Sequence, residues 1–365
     1  DPVALSMAAD DRHRPLLPVA GIYGPNASGK SNVLAALDWL RDAVANSLRQ
    51  WGDTIPIDPF VFVDDSNQPS RFTFESVLDG VRFEYVLDLD RTSVHYEALF
   101  HYPEKKRRRI FEREGQELKL QRGLSRLSGT RRLLTPRSLA LTIARRFDEQ
   151  PIMAFADELR GMHAIGRGSR WNTATLLRSY TPGESTSEQW RAEIVALLRM
   201  ADLGIDDVVV DDDTLFLLHR TASGLARLSY EQESAGTRTW FELIGLVLMA
   251  LHQGTVLLFD GLDATLHPVL SRQLIRLFAD PTTNPTGAQL IFTAHDPSLL
   301  NHLDRDEVWL TEKVDGVTRL GSLAEFAGER VRKSQNLEKA YLDGRFGALP
   351  HVDRTLVVLN RPGEN

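Results

Sequence analysis

Eight residues, GPNASGKS from Gly24 to Ser31, constrain this chain more than any other stretch. They fit G-x-x-x-x-G-K-S in full and lie between the apolar run LLPVAGIYG and the amphipathic stretch KSNVLAALDWLRDAVANSLRQW. The run reads as a short buried strand, and the stretch as a helix whose Val33, Leu37, Leu40, Val44 and Leu48 share one face. A strand, a glycine turn and a helix let backbone N–H groups close around phosphate oxygens while the helix N-terminus adds partial positive charge. Gly24, Pro25, Asn26, Ala27 and Ser28 are therefore candidate phosphate-binding residues, continued by Gly29, Lys30, Ser31 and Asn32. Lys30 is placed to reach the terminal phosphates, and the Ser31 hydroxyl to ligate magnesium.

A second apolar run, TVLLFD, ends at Asp260. A carboxylate at the end of a buried strand is costly unless it meets a cation or strong donors, and a magnesium ion shared with Ser31 removes that cost. The next residue, Gly261, has no side chain to act on water. Around these points strands alternate with helices: TRTWFELIGLVLMALHQG is apolar nearly all round, and HPVLSRQLIRLFAD precedes the strand AQLIFTAHD. Such alternation implies a largely parallel sheet. Between about 58 and 113 the period changes to two, and Asp79-Gly80 marks a hairpin, so an antiparallel lobe is expected there. Residues 137–203 read mainly helical, with loops at GRGSRWN and YTPGESTS. The expected division is 1–57 for the first part of the core, 58–136 for the lobe and 137–204 for a helical insertion. The second part of the core is then 205–350, followed by a tail, 351–365.

The chain has 365 residues, and no apolar run is long enough to span a bilayer, so no membrane segment is expected. The absence of cysteine excludes disulfides and thiolate metal sites and, with no cleavable apolar signal, points to a reducing cytoplasm. Beginning at Asp1 inside a strand-like stretch, the sequence is expected to lack residues that precede it. The net charge is −7, yet residues 101–150 hold fourteen Lys and Arg against six Asp and Glu. A polyanionic partner and a solvated edge hairpin followed by an Arg-rich helix both fit that stretch.

Three further motifs follow in order: ESAGTR, Glu233 to Arg238, before a buried helix; LDATLHP, Leu262 to Pro268; and FTAHD, with His295 at a strand end. Together with the phosphate loop and Asp260 they make the chain resemble the ABC-type ATPase heads of the SMC and RecF class. Within that class it is similar to the short-armed, single-chain ATPases found with OLD-type and abortive-infection systems. The late segment YLDGRFGALP, Tyr341 to Pro350, adds to that likeness without chemistry of its own.

The resemblance implies an α/β P-loop NTPase fold of ABC type, with a mostly parallel core sheet, an antiparallel lobe and an inserted helical region. It implies ATP and Mg2+ as cofactors, ATP over GTP resting on the likeness alone. Ser234, Gly236 and Thr237 become a signature that faces the phosphate loop of a second copy, so a head-to-tail dimer holding two nucleotides is expected. Asp263 takes the key place in the D-loop and His295 that of the switch histidine, and Gln68 is the candidate coupling glutamine. Position 261 is where such ATPases keep the glutamate that activates water, so ATP binding is expected to survive and hydrolysis to be slow. Downstream of His295 there is no second carboxylate cluster or nucleophile triad. The resemblance therefore implies an anti-phage switch acting on a separate effector such as a nuclease or toxin. The alternative is a RecF-like DNA-maintenance ATPase, its phosphate contacts supplied by EKKRRRIFER, Arg131, Arg132, Arg145 and Arg146. A membrane-transport subunit fits less well, because ESAGTR departs from the transporter pattern.

Overall fold

A computed structural model of the chain describes residues 16–60, 68–147, 149–166, 185–201, 203–211, 214–326 and 336–346. Its centre is a six-stranded sheet: β1 (Val19–Tyr23), β7 (His163–Ile165), β11 (Val256–Phe259), β12 (Gln289–Thr293), β13 (Val308–Val314) and β14 (Val317–Ser322). The strand order is β14-β13-β1-β12-β11-β7, parallel throughout except for β14, which pairs antiparallel with β13. The fold is α/β with a mostly parallel sheet.

Both faces of this sheet are covered, which is why β1 and β11 read as unbroken apolar runs. Leu257 and Phe259 of β11 point into one core, with α4 (Ala235–Gln253) and α5 (Pro268–Ala279). Val256 and Leu258 point into the other, against α1 (Lys30–Gln50) and α2 (Gln150–Arg160). The helix α4 is buried along most of its length, as its all-round apolarity requires. On α1 the pattern slips at one place, since Leu48 is exposed while Ala43 and Ser47 are buried.

Five consecutive strands form a meander on the far side of α1: β2 (Ser70–Leu78), β3 (Val81–Leu89), β4 (Val94–His101), β5 (Arg108–Glu114) and β6 (Glu117–Leu120). Asp79 and Gly80 turn β2 into β3 with positive φ of 49° and 75°, the geometry of a two-residue hairpin loop. Tyr85, Leu87, Leu89 and Leu99 of the meander share one core with Val33, Leu40 and Val44 of α1.

Two segments differ from expectation. The region read as a helical insertion also contributes β7, three residues that pair with β11 at the edge of the central sheet. A strand that short leaves no periodicity to read. The segment after it contributes α3 (Ser185–Met200), and then β8 (Ile205–Asp211), β9 (Thr214–Thr221) and β10 (Gly224–Ser229) pair only with one another. They form a separate antiparallel sheet, not strands of the core. Residues 167–172 of GRGSRWN and 180–184 of YTPGESTS fall outside the described residues, as do the tail 351–365 and the end of YLDGRFGALP, while Ser185–Ser187, expected in a loop, form the first turn of α3. Among the described residues no helix is long and apolar enough to cross a membrane.

Candidate functional site

The end of β1 passes into the glycine turn under tight steric control. A Cβ at Gly24 would lie 2.3 Å from the Thr311 hydroxyl and 2.4 Å from the Thr311 carbonyl oxygen, so only glycine fits. Thr311, fully buried on β13, donates to the Tyr23 carbonyl at 3.1 Å and lies 2.6 Å from the buried Ser28 hydroxyl. These two bonds fix the loop to the sheet. Behind it Tyr341 packs edge-on against Tyr23, with centroids 6.4 Å apart.

The Lys30 ammonium folds back to the Gly24 and Pro25 carbonyls, at 2.9 Å each. Burial pulls its pKa below the ordinary lysine value, while the carboxylates of Asp263 and Asp260 oppose that shift. Among the described residues no backbone carbonyl accepts the N–H groups of Ala27, Gly29, Lys30 or Ser31. A cation and a cluster of free amides at the start of a 21-residue helix make an anion site. Asn26, Ala27, Ser31 and Asn32 are exposed, so the cluster opens to solvent.

Asp260 joins this site from 229 residues away. Its Oδ1 accepts the Ser31 hydroxyl at 2.9 Å and the Thr293 hydroxyl at 2.7 Å. Thr293 also accepts the Gly261 N–H at 2.8 Å, tying the residue after the aspartate to β12. A hydroxyl and a carboxylate in contact beside a phosphate cradle are the hard oxygen donors that magnesium takes along with nucleotide phosphates. Among the described residues no group of three His, Cys, Asp or Glu side chains could hold a metal alone. Ser31 and Asp260 are thus the residues that would hold the ion. Gly261 sits at φ 74°, ψ 54°, in the left-handed region, where it starts a single helical turn, Leu262–Thr265.

From that turn Asp263 reaches across to the loop after β12. Its Oδ2 accepts the N–H of His295 at 2.9 Å and of Asp296 at 2.8 Å. Asp263 and the His295 backbone are therefore held together within one chain, and the His295 side chain is left exposed. Ser234, Gly236 and Thr237 lie apart from these contacts. Ser234 caps α4 by accepting the Thr237 N–H at 3.1 Å, and Glu233 before it is buried against His219. Ser234 and Gly236 are exposed, and among the described residues no hydrogen bond connects them or Thr237 to the phosphate loop.

The family model described as "AAA domain, putative AbiEii toxin, Type IV TA system" matches residues 19–301, a span that holds the phosphate loop, Ser234, Asp260, Asp263 and His295 but not Thr311 or Tyr341. The chain belongs to this family. Membership makes it a P-loop ATPase domain of ATP-binding type. A comparison with curated proteins finds no match. Among solved structures, the AAA domain is similar to an SMC head bound to the C-winged-helix domain of ScpA, with 14% identity and TM-score 0.45, covering 84% of this chain and 91% of that one. It is also similar to the SMC head domain from Thermotoga maritima, with 13% identity and TM-score 0.43, covering 83% and 89%. A third likeness is to the dimeric post-hydrolysis state of the ATP-binding cassette MJ0796 bound to ADP and Pi, with 12% identity and TM-score 0.35, covering 85% and 88%.

Elsewhere in the AAA domain, Gln68 is exposed beside 61–67, which lie outside the described residues. Among the described residues, six of the fourteen Lys and Arg between 101 and 150 have a hydrogen-bond or ion-pair partner. Arg107 pairs with Glu84, Arg108 with Glu104, Arg109 with Glu112 and Arg145 with Asp157, while Arg131 donates to the Leu118 carbonyl. Arg113 is fully buried against Glu97. The expected Arg-rich helix is instead a succession of single turns, Thr130–Leu133, Ala140–Ala144 and Arg145–Phe147. Thr293, Thr311 and the Glu97–Arg113 pair were missed by sequence reasoning, because each owes its role to a partner distant in the chain.

Proposed function

We propose that this AAA domain is a nucleotide-dependent dimerising switch, in which ATP closes two copies head to tail and the closed pair controls a separate effector, a nuclease or toxin, in anti-phage defence. One observation carries the reading. The Ser31–Asp260 contact joins the phosphate loop to a carboxylate suited to a metal, while the exposed N-terminus of α4 at Ser234 and Gly236, a second anion-seeking group, makes no hydrogen bond to that loop among the described residues. A nucleotide bridging two copies uses both. The family description, with its words "putative AbiEii toxin, Type IV TA system", supports the defence setting.

In this mechanism Lys30 exchanges the Gly24 and Pro25 carbonyls for β- and γ-phosphate oxygens, and the free amides of the loop hold the remaining oxygens. Magnesium, when bound by Ser31 and Asp260, neutralises phosphate charge. Thr293 keeps the Asp260 carboxylate oriented, and Asp263 keeps His295 positioned to orient water. Glycine at 261 supplies no base, so the closed state is long-lived. The ion pairs of Arg107, Arg108, Arg109, Arg113 and Arg145 weigh against a DNA clamp built on those residues.

The head-to-tail geometry is tested by complementation. Lys30→Ala disables the phosphate loop and Ser234→Arg blocks the signature, so neither protein alone is expected to dimerise on ATP. Mixed together they rebuild one intact composite site, and the mixture is expected to dimerise. A mixture that stays monomeric, or either variant dimerising by itself, would show that the signature does not face its partner's nucleotide.

A further inference from the structure

The opposite end of α1 carries chemistry that neither nucleotide binding nor dimerisation uses. There a cavity of about 240 Å³ lies between the last turns of α1, residues 142–146 and the end of α2. Four guanidinium groups line it, Arg49, Arg145, Arg146 and Arg160, together with Asn46 and Thr142. Asp157 accepts from Arg145 at 2.8 Å and from Arg160 at 3.1 Å, tying these two together while leaving other donors on each. Among the described residues Arg49 and Arg146 have no ion-pair or hydrogen-bond partner. Asn46 donates to a second carboxylate, Asp42, at 2.7 Å, so four arginines meet two carboxylates and the cleft keeps a positive excess.

Arginines from three separate elements converge here on one small concavity. Planar, multi-donor groups in that arrangement fit clustered phosphate oxygens, whereas the spaced phosphates of a duplex call for cations laid out along a face. Asn46 is sixteen residues beyond Lys30 on the same helix, about 24 Å by helical rise, so this is not an extension of the phosphate loop. The exposed Leu48 adds apolar surface at the rim. We infer that the cleft is a second ligand site, which binds a small compound carrying two or three linked phosphate groups, supplied either as inorganic polyphosphate or as a nucleotide.

Lys30→Ala protein, its phosphate loop disabled, is titrated with inorganic tripolyphosphate and, separately, with ATP. Tripolyphosphate is expected to bind at a single site, weakened roughly tenfold by Arg49→Gln and roughly a hundredfold by Arg49→Gln with Arg146→Gln. Leu48→Glu places a carboxylate at the rim without removing an arginine, and is expected to weaken binding as well. Tighter binding of ATP than of tripolyphosphate assigns the nucleotide as the source, and equal or weaker binding assigns the inorganic compound. The inference is overturned if tripolyphosphate does not bind the Lys30→Ala protein, or binds with no dependence on Arg49 and Arg146. It is equally overturned if a short DNA duplex binds at these arginines and tripolyphosphate does not.

Discussion

Replacing Gly261 with glutamate is expected to raise ATP turnover by about two to four orders of magnitude, the contribution typical of a positioned general base. The site supports that gain in all other respects. Asp260 is already held by Ser31 and Thr293, and the Gly261 N–H is anchored on Thr293, so a side chain added here starts from a fixed backbone. Space is available too, because a Cβ would meet Ala264 at an ordinary 3.6 Å. The obstacle is conformational. At φ 74° any side chain is strained, by roughly 1–2 kcal/mol, so the substitution is expected to lower stability while raising the rate. Gly261→Ala and Gly261→Gln separate the two effects, since both share the strain and neither supplies a base. Steady-state turnover should rise for glutamate alone. Equal rates for Glu, Gln and Gly at 261 would mean that water is activated elsewhere.

The second large effect concerns the joint between the antiparallel lobe and the segment that follows it. Arg113→Met is expected to cost about 3–5 kcal/mol, because it strands a buried carboxylate. Glu97 and Arg113 are both fully buried, 3.6 Å apart. Glu97 accepts the N–H groups of Ala140 and Leu141 and the Tyr85 hydroxyl, while Arg113 donates to the carbonyls of Gly115, Thr135 and Ser138. Together they clamp residues 135–141 onto β4 and β5.

The loss should depend on pH in a definite direction. Burial already pushes the Glu97 carboxyl above its ordinary range, with Arg113 the largest opposing influence. Removing Arg113 raises it further, so the folded variant binds a proton that the unfolded chain does not, and folding is favoured as pH falls. Denaturant unfolding should therefore show the gap between the variant and the parent narrowing from about pH 8 toward about pH 5. A gap that widens on acidification would mean Glu97 is not the stranded charge. Adding Glu97→Gln to Arg113→Met is expected to recover part of the loss.

Residues whose chemistry requires a fixed local setting were legible in the sequence. GPNASGKS has to follow a strand and open a helix, and Ser234 has to cap one, so both could be placed without a structure. Asp260 was legible because a carboxylate ending an apolar run demands a partner. What could not be read depends on pairing at a distance. Thr293 and Thr311 are ordinary strand threonines until the sheet order puts them beside Asp260 and the phosphate loop. The arginines at 107, 109 and 113 form a plain charge run until strand register and short-range contacts bring Glu84, Glu112 and Glu97 to them. β7 is legible only through its neighbour β11. The positive φ of Gly261 is likewise a property of the turn, so a glutamate at this position would differ from the glycine in backbone state as well as in side chain.

The most direct measurement is the mass of the unaltered protein in solution, followed over time after ATP and magnesium are added, with Lys30→Ala as the control. The expected result is a doubling of mass that persists far longer in the parent than in Gly261→Glu, and no change in the control. A parent protein that stays monomeric at saturating ATP and magnesium would contradict the dimerising switch at its root.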